Sequence, residues 1–373
     1  MLLKIIIKMS QKILFIMHMP PPVHGAAVIG KYIHDSKIIN KAFDCLYINP
    51  AASKKVSSIG KLSFGKIFFL FSLLRKIVKT VKTEKPDLCY MTPSTWDWGF
   101  YRDCLTVFIL KRLNVKIVFH FHNRPQTGFG DKWYNKLLYR HFFRETNYIF
   151  LDRVLTNDFK DYLDKKHLYI CPNGIEPVAS NFEIKSDSNT IKFVFLSNLI
   201  KNKGVYDLLE ACKILKSKKY NFICDFIGKS GDISSDEFIR DVEKYGLSDI
   251  VTYLGPKYDS EKYTCLSKHD VLVFPTSYET FGLVLLEAMQ VGLMCIGTKE
   301  GAIPNIISNK ETGLLIEKKD SFDLAAKMEY CINNRDKVKI MGQKGKEKFF
   351  KLYTKEIFEQ NITNILKDCI KND

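Results

Sequence analysis

The chain has 373 residues, more than one hydrophobic core usually supports, so two domains of about 150–200 residues each are expected. Hydrophobic residues make up 46% and charged residues 26%, with 12 prolines and no biased tract, which excludes a mainly disordered, collagen-like or coiled-coil chain. Lys and Arg number 57 against 41 Asp and Glu, and residues 1–180 hold +15 of the formal charge of +16, so the first half is expected to face something anionic.

The apolar N-terminus is interrupted by Lys4, Lys8 and Lys12, and no small-residue cleavage site follows. No signal peptide is therefore expected. Short apolar runs at 12–17, 43–48, 87–91, 115–121 and 148–155 predict buried strands, and 26–38, 64–82, 101–113 and 132–144 predict helices between them. The apolar run at 67–74 is too short to span a bilayer. Cys171-Pro-Asn-Gly-Ile175 and the polar stretch 186–190 mark a change of character, so a linker at 176–190 is expected to separate a first domain, 1–175, from a second, 191–350. Strands are predicted there at 192–197, 221–227, 250–254, 270–275, 294–297 and 313–316. Val205, Leu208, Leu209, Cys212 and Leu215 trace the stripe of a surface helix. After Asp320 only helices are predicted (320–333, 336–350 and 354–370), and the segment 351–373 is expected to pack back on the first domain.

Such alternation predicts an α/β chain of two Rossmann-like, doubly wound domains facing a cleft, with ligand loops at the carboxyl ends of the strands. There is no G-x-G-x-x-G after any strand and no Walker A loop, which argues against an oxidoreductase or a P-loop enzyme. The ten cysteines form no C-x-x-C, and reduced core thiols of a cytosolic protein are expected.

The stretch Val273–Gly292 is the most informative. Its strand ends at Pro275, and a helix is predicted to begin near Thr280–Gly282, with Glu279 beside its positive end. Eight residues on, Glu287 lies in an almost wholly apolar helix, where a carboxylate needs a hydrogen-bonding partner. At helical rise, eight residues span about 12 Å, suited to reach from a transferred sugar across a diphosphate to a ribose. The plainer alternative is a helix cap for Glu279 and a core lysine for Glu287. In the first half, Val118-Phe-His-Phe-His-Asn-Arg124 puts two histidines on one face of a strand, but no third ligand follows at zinc spacing. Arg124 is a candidate for an anionic acceptor. No Asp-x-Asp occurs in the chain, so no metal site is expected.

The stretch Glu279–Glu287 resembles the E-x7-E motif of retaining glycosyltransferases of family 4, which have the two-domain GT-B architecture, and Cys171-Pro-Asn-Gly174, Tyr253-Leu-Gly255 and Gly301-Ala-Ile-Pro304 are similar to other parts of that family. The resemblance implies that Glu279 approaches the donor sugar and Glu287 the ribose. It implies that the backbone of Phe281, Gly282, Leu283 and Val284 contacts sugar and diphosphate. Lys203 would stabilise the leaving diphosphate, while Asn198 stands where the family usually has an arginine. Gly25 belongs to a loop that resembles the glycine-rich first loop, with His24 beside it, and His122 matches a histidine that reaches the donor sugar.

The expected protein is thus a retaining hexosyltransferase with a nucleotide-sugar donor and no other cofactor, acting on a saccharide or lipid-linked acceptor in surface-polysaccharide synthesis. A GT-B sugar-nucleotide epimerase, or a basic nucleic-acid-binding protein, are the alternatives. The first lacks acid/base carboxylates in the first domain, and the second gives no reason for Glu287. Finally, Phe64, Ile67, Phe68, Phe71, Leu74 and Val78 form one helical face, surrounded by Lys61, Arg75, Lys76, Lys79 and Lys82. A basic amphipathic helix of this kind predicts peripheral attachment to the anionic inner face of the cell membrane.

Overall fold

The structure, a computed structural model, describes residues 11–21, 25–50, 64–126, 128–178 and 190–371, at 64–67 the backbone only. His24, Lys61 and the side chains of Phe64 and Ile67 lie outside the described residues. The chain divides into two units, Met1–Asn173 with Glu356–Asp373, and Gly174–Lys355.

In the first unit the order is β1 (Lys12–Ile16), α1 (Gly25–Asp35), α2 (Lys37–Ala42), β2 (Asp44–Ile48), α3 (Phe64–Glu84), β3 (Leu88–Met91), α4 (Asp97–Arg112), β4 (Lys116–Phe121), α5 (Trp133–Phe143), β5 (Asn147–Phe150) and β6 (Leu168–Ile170). The strands form one parallel sheet in the order β2-β1-β3-β4-β5-β6. β4 shows how strand alternation builds the core. Its Phe119 and Phe121 stack on Phe142 and Phe143 of α5, with ring centroids 4.2 and 5.5 Å apart. His120, between them, faces the opposite side and lies 6.3 Å from the ring of Phe358.

The second unit runs β7 (Ile191–Leu196), α6 (Val205–Ser217), β8 (Phe222–Ile227), α7 (Ser235–Lys244), β9 (Val251–Gly255), α8 (Asp259–Leu266), β10 (Val271–Phe274), α9 (Leu283–Gln290), β11 (Met294–Thr298), α10 (Ile303–Ile306), β12 (Gly313–Ile316), α11 (Ser321–Asn333) and α12 (Arg335–Leu352). Its sheet is also parallel and six-stranded, in the order β12-β11-β10-β7-β8-β9. The chain moves outward from β7 to β9, then returns to place β10 on the other side of β7. That reversal is a topological switch point, where doubly wound sheets bind ligands. The stripe Val205, Leu208, Leu209, Cys212 and Leu215 of α6 is fully buried. The last helix, α13 (Lys355–Lys371), belongs almost wholly to the first unit, where Lys116 Nζ donates to the carbonyl of Ile370 at 3.2 Å.

Two expectations are corrected. The fifth strand ends at Phe150 rather than 155, because Asp152 accepts from Val154 N at 2.8 Å and starts a 3₁₀ turn. β6 was not expected, since three residues are too few to show an alternation. On α3 the aromatic face singled out by spacing is not the one that packs on the sheet: Leu70, Leu73, Ile77 and Val81 are buried, whereas Phe68 and Phe71 are 77% and 67% exposed. The helix carries more apolar residues than one face can hold, and the aliphatic stripe takes the sheet.

All ten cysteines are free thiols, most of them buried, and burial pushes Cys331 and Cys369 up to about 12. Among the described residues no helix is long and apolar enough to cross a membrane.

Two glycines of α12 give a test of packing. A Cβ at Gly342 would stand 2.2 Å from the carbonyl oxygen of Gly292, whereas one at Gly345 would meet nothing closer than 3.6 Å. Helix propensity alone favours Ala at both sites by about 1 kcal/mol. Gly342→Ala is expected to destabilise by about 1–3 kcal/mol through overpacking, and Gly345→Ala to be neutral or stabilising. Thermal denaturation of the two variants checks the opposite signs.

Candidate active site

The loops that leave β7 and β10 meet at the switch point. The carbonyl of Asn202 accepts from Ser277 N at 2.8 Å, from Thr276 Oγ1 at 3.1 Å and from Ser277 Oγ at 3.2 Å. Gly204 makes this approach possible. Its φ is +81°, and a Cβ there would lie 2.2 Å from the carbonyl oxygen of Pro275. Only glycine satisfies both conditions. A third loop joins them after β11, where Ala302 N donates to the carbonyl of Thr280 at 3.0 Å.

This junction brings two of the candidate residues into contact. Lys203 closes a 3₁₀ turn just before Gly204, and its Nζ lies 2.7 Å from Glu279 Oε2. The same ammonium stands 5.6 Å from the ring centroid of Phe274. The other carboxylate oxygen of Glu279 accepts from Thr280 N at 3.0 Å and Phe281 N at 3.3 Å. Glu279 therefore does cap the turn, while also holding a cation at the switch point.

α9 begins at Leu283, four residues past Glu279, so the 12 Å span computed for a continuous helix does not apply. Gly282, at φ +95°, is its N-cap, and no side chain caps this end. The first-turn N–H groups of Leu283 and Val284 lack intrahelical partners and sit at the positive end of the helix, an arrangement that attracts anions. Phe281 contributes backbone only, since its side chain is buried with its ring 6.4 Å from that of Tyr353.

Glu287 is half-buried rather than enclosed, on the same open face of α9 as Leu283 and Val284. Its Oε1 takes a 2.7 Å ion pair from Lys262 Nζ of α8. Sequence reading missed Lys262. No motif marks it, and its position opposite Glu287 depends on how α8 packs. Asn198 is exposed after β7, with its Oδ1 3.4 Å from Lys229 N.

The remaining candidates belong to the first unit. His120 is buried and shares a 2.6 Å hydrogen bond with Tyr90 OH, and burial holds its imidazole well below the usual range. His122 follows β4, is half-buried, and has its ring 4.1 Å from that of His120. Gly25 opens α1. Arg124 meets Asp158 at 2.7 and 3.2 Å through two nitrogens, so its charge is already matched by a carboxylate. Among the described residues no three His, Cys, Asp or Glu side chains cluster as metal ligands would.

The Lys203–Glu279 pair is mostly shielded from water, with side chains 24% and 18% exposed, unlike Arg144–Glu145 at 76% and 74%. A double-mutant cycle with Lys203→Met and Glu279→Gln is expected to give a coupling of about 1 kcal/mol. The exposed pair should give nearly none. Denaturant titration of the single and double variants measures both.

Residues 178–348 match the family model described as glycosyl transferases group 1. An uncharacterized 41.2 kDa protein in the cps region of Klebsiella pneumoniae is 25% identical over 337 residues, covering 82% of this chain and 87% of that protein. The capsular polysaccharide biosynthesis glycosyltransferase CapM of Staphylococcus aureus is 27% identical over 178 residues, 48% of this chain and 46% of that protein. The crystal structure of Anabaena Alr3699/HepE in complex with UDP superposes with a TM-score of 0.76 at 17% identity, covering 96% of this chain and 100% of that one. The two parallel sheets with their flanking helices thus have the GT-B fold, and within it residues 178–348 are similar to glycosyl transferases group 1.

Proposed function

We propose that this protein is a retaining glycosyltransferase that moves a hexose-type sugar from a nucleoside-diphosphate sugar to a hydroxyl acceptor. The observation that carries the reading is the junction of Lys203, Glu279 and the start of α9 at the switch point of a glycosyl transferases group 1 domain. A departing diphosphate needs positive charge that is already in place, since a fixed cation and fixed N–H dipoles need little reorganisation as negative charge develops. Lys203 and the N–H groups of Leu283 and Val284 supply it. Glu279 would face the transferred sugar and Glu287 the ribose hydroxyls. The acceptor hydroxyl would attack the face that the diphosphate vacates. Gly25 and His122, from the first unit, would contact donor or acceptor.

The relatives support a role in surface-polysaccharide synthesis, because one is encoded in a cps region and another is named for capsular polysaccharide biosynthesis. A saccharide on a lipid carrier at the inner face of the membrane is the acceptor we favour, given the charge of the first half. The reaction would run without a divalent cation, since the sequence has no Asp-x-Asp to hold one and Lys203 occupies that role.

The direct test is a panel of nucleoside diphosphates assayed by thermal shift. A binding nucleotide at about 100 times its Kd should stabilise the protein by about 2.7 kcal/mol. Glu287→Ala is expected to weaken that binding by about tenfold or more, as loss of a hydrogen bond to a charged group would. Glu279→Ala should leave binding largely intact and slow transfer by about 100-fold. If both variants keep wild-type affinity and turnover, the site is misplaced. Turnover should also survive exhaustive EDTA, and activity that only Mg²⁺ or Mn²⁺ restores would refute the metal-free mechanism.

A further inference from the structure

The exposed aromatic residues of α3 leave a surface to be explained. In a parallel sheet ordered β2-β1-β3-β4-β5, right-handed crossovers place α3, α4 and α5 on one face. α4 packs beside both of the others. Lys111 of α4 donates to the carbonyls of His141 and Arg144 at the end of α5, and the ring of Phe108 lies 5.9 Å from that of His141. The three helices therefore form one layer, and their outward sides form one surface.

That surface is both apolar and basic. Phe68 and Phe71 of α3, Leu105 and Phe108 of α4, and Trp133 and Leu137 of α5 are all exposed. Arg75, Lys76, Lys79 and Lys82 follow the two phenylalanines along α3, Arg112 lies beside Phe108, and Lys136 and Arg140 flank Leu137. Among the described residues, the exposed positions of these helices hold one acidic side chain, Glu84, which Lys12 pairs at 2.8 Å. Each helix thus buries one stripe against the sheet and presents a second stripe of large apolar groups outward.

We propose that the outer face of α3, α4 and α5 docks on an anionic phospholipid bilayer, with Phe68, Phe71 and Trp133 entering the boundary between headgroups and acyl chains. A bilayer surface meets both properties at once. Its acyl boundary accepts exposed apolar side chains, and its headgroups attract the lysines and arginines around them. A second copy of this chain would bring like charges together. Nucleic acid would match the charge and stack on some rings, but it would leave Leu105 and Leu137 facing water. The inference stands on the first unit alone, and it gives the proposed lipid-linked acceptor a place to be met.

The test is flotation of the full chain with vesicles of phosphatidylcholine, alone or mixed with equal parts of phosphatidylglycerol, at about 50 mM and about 500 mM salt. Binding is expected only to the anionic vesicles, with affinity falling about tenfold or more at high salt. Each cation at the surface contributes roughly fivefold in affinity, so Lys76→Glu/Lys79→Glu should lose at least about tenfold. Phe68→Ser/Phe71→Ser should lose a similar factor, and both residues are exposed enough to be replaced without harm to folding. Phe322→Ser, at a 78% exposed position in the other unit, is the control and should bind as wild type.

Equal binding to neutral vesicles, or wild-type binding by both double variants, overturns the proposal. So does a labelled DNA duplex that binds where vesicles do not. Nucleotide thermal shifts on the same preparations separate the two readings. If no nucleotide stabilises the protein, the transferase reading falls and the vesicle result stands. If nucleotides stabilise wild type and variants alike while vesicles fail to bind, only the docking surface falls.

Discussion

The second unit is organised around the contact between the loops after β7 and β10, which the carbonyl of Asn202 gathers by accepting from Thr276 and Ser277. Gly204 sets how closely they approach, because any side chain there would strike Pro275. With the loops so held, Lys203 reaches Glu279 at 2.7 Å, and Glu279 in turn holds Thr280 and Phe281 by their N–H groups. The entry of the chain into α9 is thereby fixed, and with it the direction of the first-turn N–H groups. A cation, a carboxylate and a helix N-terminus become one rigid electrostatic unit. Such preorganisation is what the proposed diphosphate leaving group would need, since charge that is already oriented costs little to use.

The two glutamates have different environments despite their regular spacing. Glu279 sits in a turn where backbone N–H groups and an ammonium share its two oxygens. Glu287 lies on the open side of α9, held by one lysine from a neighbouring helix. The plainer sequence expectation, a cap for the first and a lysine for the second, describes their contacts in this structure. It does not compete with ligand binding, because a half-buried carboxylate oriented by a lysine is also prepared to receive hydroxyl groups.

In the first unit, charge and hydrophobicity are separated by helix face. The sheet side of α3 takes Leu70, Leu73, Ile77 and Val81, which pack without polar atoms. The aromatic stripe is left outside with Arg75, Lys76, Lys79 and Lys82, so exposed rings and positive charge share one helix surface. His120 shows the same logic within the sheet. Its imidazole is tied to Tyr90 and kept neutral by burial, while His122, two residues on, stands at the end of the strand and is only half-buried.

Much of this was legible in the sequence because it rests on local periodicity. Alternating apolar runs and helical stripes gave the succession of strands and helices, and the stripe of α6 is buried as its spacing requires. Glu279 and Glu287 were marked by a strand, a turn and a helix in order, and Lys203 by the resemblance to family 4. What stayed hidden depends on contacts between distant residues. Lys262 lies 25 residues from Glu287 and finds it only when α8 packs beside α9. Asn202 has no motif, because its backbone carbonyl does the work and every residue has one. β6 is three residues long, too short for any period to show. On α3 the sequence offers more apolar residues than one face can bury, and spacing marks the aromatic stripe beside the basic residues without showing which stripe meets the sheet. Only packing against the sheet decided that the aliphatic stripe turns inward and Phe68 and Phe71 remain in water.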